Sequence, residues 1–137
     1  MYEYSRDVFY YETDKMAVVH HSNFIRWLEE ARTKYFDAAA MPYVETEAGG
    51  VLSPVIGMNF ALRHFARFGD RFTVRLKMTK YTGVRFVIRF TIVNQEEEVL
   101  VEGESRHAFI SAGTYRPVSL SKTLPRIHER MKLHVEE

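Results

Sequence analysis

Residues 10–32 read YYETDKMAVVHHSNFIRWLEEAR, and this stretch decides the fold. It begins as the end of a strand. A polar turn follows at 12–15, carrying Asp14, and two adjacent histidines, His20 and His21, lead into a helix. From Ser22 the apolar period becomes helical: Phe24, Trp27, Leu28, Ala31, Tyr35, Ala38 and Ala39 recur at spacings of three and four. Ser22 or Asn23 suits the N-cap, and Pro42 is expected to end a helix spanning 22–41. Arg26, Glu30, Arg32 and Lys34 are assigned to the opposite, wet face. An acid, two imidazoles and a helix start are thus gathered in about a dozen residues. A carboxylate there suits a base or a nucleophile, and the unpaired N–H groups of a helix start suit an oxyanion.

Working outward, residues 2–11 alternate imperfectly and read as an edge strand. Beyond the helix, 42–53 reads as a connection containing Gly49-Gly50. Residues 52–65 form a long apolar strand interrupted by Pro54 and Gly57. Residues 71–80 alternate cleanly, with Phe72, Val74, Leu76 and Met78 on one side. Residues 84–93 alternate again, 94–97 make a hairpin loop, and 99–111 form a fifth strand. A short terminal helix is expected on Ile127, Met131 and Val135, with Pro125 in its first turn. One amphipathic helix on one face of an antiparallel sheet is an α+β two-layer arrangement.

Composition narrows the function. The chain has 137 residues, 46% of them hydrophobic and 27% charged, so a single domain spanning 1–137 with a real core is expected. A net charge of +1 gives no field that would favour nucleic acid or an anionic membrane. No cysteine is present, which removes disulfides, thiolate nucleophiles and thiolate metal sites. No apolar run reaches membrane-spanning length, and the charged, alternating start is not a signal peptide, so the cytoplasm is the expected location.

Taken alone, an aspartate at a strand-to-helix turn reads as a turn or cap residue. The pattern around it is more specific. Thr13-Asp14, Val18-Val19-His20-His21, Asn23-Phe24, Trp27 and Glu29-Glu30-Ala31-Arg32 resemble the signature of hotdog-fold acyl-CoA thioesterases of the 4-hydroxybenzoyl-CoA thioesterase and YbgC-like branch. Gly69-Asp70 falls where that family has its own Gly-Asp turn. Three positions depart: Ala17 stands where the family often has Gly, His20 where it often has Tyr, and Phe65 where it often has Pro. The resemblance implies a hotdog fold, an antiparallel five-stranded sheet wrapped around one long central helix, with a short C-terminal helix.

For the chemistry, the resemblance implies Asp14 as the catalytic carboxylate and the backbone N–H of His21 as the oxyanion donor, with the His21 imidazole available to orient water or protonate the thiolate. Glu29 and His20 are implied as substrate-binding residues that shape the acyl pocket. No metal and no separate cofactor are implied; coenzyme A, or a carrier-protein phosphopantetheine arm, arrives as part of the thioester substrate. A homodimer or homotetramer is implied, with no nucleic-acid or membrane partner. The outward cations Lys77, Lys80, Arg85 and Arg89 suit CoA phosphates but are also ordinary strand positions. Two alternatives compete: a hotdog hydratase or dehydratase, and an acyl-thioester binding module without turnover.

Overall fold

The computed structural model describes residues 1–137. The strands are β1 (Tyr2–Asp7), β2 (Val51–Leu52), β3 (Val55–Leu62), β4 (Arg71–Tyr81), β5 (Arg85–Val93), β6 (Val99–Ala108) and β7 (Ile110–Ser111). The helices are α1 (Ser22–Ala38), α2 (Tyr43–Ala48), α3 (Leu120–Thr123) and α4 (Pro125–Leu133). Five strands form one antiparallel sheet in the order β1-β4-β5-β6-β3, and β2 pairs with β7 in a small separate ribbon. The α+β class with an antiparallel sheet therefore holds. No helix is long and apolar enough to cross a membrane.

Alternation builds the core. Phe72, Val74, Leu76 and Met78 of β4 and Phe86, Ile88, Phe90 and Ile92 of β5 all turn to one face and are buried. α1 lays Phe24, Trp27, Leu28, Ala31, Tyr35 and Phe36 on that face. Trp27 stacks flat on Phe72, with ring centroids 3.8 Å apart and planes 4° from parallel. Fully burying each such side chain stabilises by about 1.5–3 kcal/mol, so the helix is held by packing more than by propensity.

Several boundaries differ from the sequence reading for physical reasons. α1 ends at Ala38 rather than at Met41. Ala40 adopts φ +59°, the Met41 N–H donates to the Phe36 carbonyl (2.9 Å), and the Ala40 N–H to that of Asp37 (3.1 Å). This is a Schellman closure with alanine in the place glycine usually takes. Arg32, assigned to the wet face, is buried, and its Nε donates to the Tyr43 hydroxyl (2.7 Å). The 42–53 connection contains α2, too short to show a period. β1 stops at Asp7, after which the chain turns into a 3-10 segment, Tyr10–Glu12.

β6 and β3 approach closely at Gly103. A Cβ there would lie 2.1 Å from the Asn59 carbonyl oxygen and 2.6 Å from the Phe60 Cα. Both are backbone atoms and neither can swing aside. Gly103→Ala is expected to destabilise the protein by about 2–3 kcal/mol by prising these strands apart. Urea denaturation checks this; a midpoint equal to the wild type would contradict the close approach.

Candidate active site

The 12–20 loop is closed on itself. Thr13 pairs with Val19, the Asp14 N–H donates to the Val18 carbonyl (2.9 Å), and the Ala17 N–H donates to the Asp14 carbonyl (3.0 Å). Ala17 sits at φ +63°, so the position where the family often carries Gly is a left-handed one. The Ala-for-Gly departure thus carries backbone strain of about 1–2 kcal/mol. The loop is pinned to the β3–β4 connection by the Val19 N–H, which donates to the Ala66 carbonyl (2.7 Å).

Within this loop Asp14 has one committed oxygen. Its Oδ1 accepts the Met16 N–H (2.8 Å), and its other oxygen has no hydrogen-bond partner in the chain. In the helix start that follows, the Ser22 N–H donates to His20 Nδ1 (3.3 Å), and the Asn23 and Phe24 N–H groups donate to the His20 and His21 carbonyls (2.9 and 3.2 Å). Neither Ser22 nor Asn23 caps it; the N-cap position falls on His21, which makes no side-chain cap. Asn23 instead donates from Nδ2 to the Glu12 carbonyl (3.0 Å). The His21 N–H meets no acceptor in the chain. One donor without an acceptor, the His21 N–H, is therefore left at the positive end of the helix dipole.

Asp14 and His21 line one cleft of about 520 Å³. Its walls are mostly apolar: Met16, Val18, Val19 and Phe24 on one side, Leu62 and Phe65 on the other. Arg63, His64 and Arg67 complete it, and the sequence reading assigned none of these to the site. Their segment is held to β6 by Arg63 and His64 N–H bonds to the Leu100 carbonyl and to the loop by the Val19–Ala66 hydrogen bond, contacts between distant segments for which no local pattern exists. His20 and Glu29 lie elsewhere, in a neighbouring polar groove of about 830 Å³ together with Arg26 and Lys34. The His20 and His21 rings nevertheless stack, with centroids 4.3 Å apart, at the ridge between the two. The four residues singled out from the sequence are thus brought together as two pairs.

Other expected features fall away from this cleft. Lys77 and Arg89 line a groove elsewhere in the sheet together with Glu102 and Glu104. No three His, Asp or Glu side chains gather closely enough to hold a metal ion. His107 is fully buried, with Nε2 2.7 Å from the Ser105 hydroxyl and Nδ1 unpartnered.

The fold and this cleft can be set beside known proteins. Residues 8–127 match the thioesterase-like superfamily, and the chain belongs to it. A Bacillus subtilis protein, YneP, named as a candidate acyl-CoA thioesterase, is 30% identical over 122 residues, covering 89% of this chain and 88% of its own. The acyl-CoA thioester hydrolase YbgC of Escherichia coli O157:H7 is 26% identical, covering 85% of this chain and 87% of its own. Among solved structures, the DHNA-CoA thioesterase of Staphylococcus aureus superposes with a TM-score of 0.92 at 28% identity, over 96% of this chain and 89% of that one.

Proposed function

We propose that this chain hydrolyses acyl-CoA thioesters in the cleft shared by Asp14 and His21, with residues 1–137 acting as one hotdog domain. The observation that carries the reading is the pairing in one cleft of a carboxylate oxygen without a partner and a helix-start N–H without an acceptor. In this reading the thioester carbonyl points its oxygen at the His21 N–H. Charge that develops on that oxygen meets a fixed donor and the positive helix end. Asp14 either takes a proton from the attacking water or attacks the carbonyl carbon itself. The carbon–sulfur bond breaks and the thiolate takes up a proton; on the nucleophilic route water then hydrolyses the acyl–Asp14 anhydride, so that on either route a free acid and CoA leave. A thioester is activated enough for this small apparatus to suffice. The apolar wall of Met16, Val18, Phe24 and Leu62 suits the acyl chain, and the groove of His20 and Glu29 is the second part of the substrate's path.

Thiol release from a set of acyl-CoAs tests the reading, with a carrier-protein thioester as the alternative donor. Release from at least one is expected, and release from none would remove the thioesterase assignment.

The reading also includes a homodimer or larger assembly in the cytoplasm. β3 has β6 as its only neighbour in the sheet and is an open edge. Val55, Ile56 and Leu62 on it, and Ile25 and Phe65 nearby, are exposed. Edge strands with apolar side chains need cover, and a second copy supplies it. Light scattering at micromolar concentration is expected to give twice the chain mass or more; a strict monomer would contradict this.

A further inference from the structure

Both ends of the loop that carries Asp14 are held by one residue, Glu12. The residue is 2% exposed. The carboxylate accepts from Arg6 Nη1 (3.0 Å) and Nη2 (2.8 Å), from Trp27 Nε1 (2.7 Å) and from the Phe9 N–H (2.8 Å). Its carbonyl accepts the His20 N–H (2.9 Å) and Asn23 Nδ2 (3.0 Å). A buried acid is normally pushed up by desolvation, but the bonds from Arg6, Trp27 and the Phe9 N–H outweigh this and hold Glu12 below the ordinary carboxylate range. It is therefore a buried anion, fully engaged by donors from β1, the following turn and α1.

We propose that Glu12 is a positioning residue that sets the placement of Asp14 against the His21 N–H. The proposal rests on the reading of Asp14 and the His21 N–H as the reacting groups. Glu12 does not line their cleft; it lies at the wall of the neighbouring groove, where its four carboxylate bonds leave it no capacity for substrate. It acts through what it holds. The Trp27 bond fixes α1, which is itself locked flat on Phe72. The Phe9 and Arg6 bonds fix the chain entering the loop. The two carbonyl bonds fix the chain leaving it, at His20 and Asn23, on either side of His21. Between these anchors the loop is held by its own short bonds, the bonds of Thr13 to the Tyr10 carbonyl, the Val19–Ala66 hydrogen bond and the buried Val18 and Val19 side chains. Displacing one reacting group by about 1 Å costs on the order of 100-fold in rate, so this grip has kinetic weight.

Glu12→Gln tests it. The glutamine keeps the shape but turns an NH₂ group toward the Arg6 donors, so part of the set must open. Arg6 retains Glu30, which accepts from its Nε (2.7 Å) and Nη2 (3.0 Å), and the variant is expected to fold. We expect kcat for acyl-CoA hydrolysis to fall roughly 10- to 100-fold with KM within about twofold. In the same protein the His20 amide should exchange with solvent at least about tenfold faster, while the Ile88 amide in mid-sheet is unchanged. Ile127→Ala, in α4, is the control: it lowers stability and leaves kcat and His20 exchange at wild-type values. If Glu12→Gln does not fold, Trp27→Phe removes one donor, keeps the stack on Phe72, and should show the same two changes on a smaller scale. Wild-type kcat in the folded variant overturns the proposal. So does a fall in kcat with His20 exchange unchanged, since the loss would then not pass through the loop. If wild type releases thiol from no acyl-CoA while His20 exchange still quickens in the variant, the thioesterase reading fails and the grip of Glu12 on the loop stands.

Discussion

Asp14→Asn is expected to lower kcat for acyl-CoA hydrolysis by about 10³-fold, within the range that a positioned base or nucleophile contributes. The substitution separates chemistry from structure. Asparagine is isosteric, and its Oδ1 can still accept the Met16 N–H that shapes the turn (2.8 Å in the wild type). The Thr13–Val19 pairing and the Val19–Ala66 hydrogen bond are made by other residues and persist. What is lost is the basicity and nucleophilicity of the second oxygen, the one without a partner. KM should change little, because the apolar walls of the cleft are untouched. Steady-state kinetics on folded protein checks this, and a kcat within tenfold of wild type would remove Asp14 from the reaction.

The second large effect concerns stability. His107 is fully buried, stacked on Phe86 at 4.5 Å with planes 9° apart, and bonded to Ser105. Burial, and then the positive charge of Arg32, push its pKa down to about 3. In the unfolded chain an imidazole titrates near 6.5. Because the folded value is the lower one, the unfolded chain binds the extra proton first as pH falls. Full stability is therefore present above about pH 6.5 and is lost progressively as pH drops toward the folded value. Between pH 7 and pH 4 the loss from this one group is roughly 3 kcal/mol. Glu12, whose folded value is also depressed, withdraws its contribution only below the ordinary carboxylate value of about 4.3. The Glu12 window overlaps only the acid end of the His107 window, so most of the interval from pH 7 to pH 4 reports His107. Urea denaturation at pH 7 and pH 4 should show the loss in wild type and its near absence in a Ser105→Ala, His107→Phe double variant, in which a ring still stacks on Phe86 and no hydroxyl is stranded. An equal loss in both proteins would contradict the buried neutral imidazole.

What was legible in the sequence follows the physics of each element. β4 and β5 could be read almost to the residue because each buries one face, and burial of one face forces alternation. The start of α1 at Ser22 was visible for the same reason in the helical period. Its end was not. Alanines 38–40 favour helix locally, and the stop is made by backbone bonds from Ala40 and Met41 that no side chain announces. α2 and α3 are shorter than the period that would reveal them, and Arg32 looked like a surface charge because its neighbour Tyr43 lies beyond the helix. At the site, Asp14 and His21 stood out through a pattern of residues close in the chain. Glu12 did not, although it is two residues away. A carboxylate in a polar turn reads as solvated, and its partners Arg6 and Trp27 come from β1 and α1. Arg63, His64 and Arg67 were missed because their segment is brought to the loop by bonds between distant parts of the chain, to Leu100 of β6 and from Val19 to Ala66.

The most direct test of the central claim is to quantify free thiol and free carboxylic acid together, from short, long, branched and aromatic acyl-CoAs, with wild type and Asp14→Asn side by side. Wild type is expected to release acid and CoA in equal amounts from at least one of these, and Asp14→Asn, folded to the same extent, to release almost none. Equal release by the two proteins, or no release by wild type from any thioester offered, would contradict the claim.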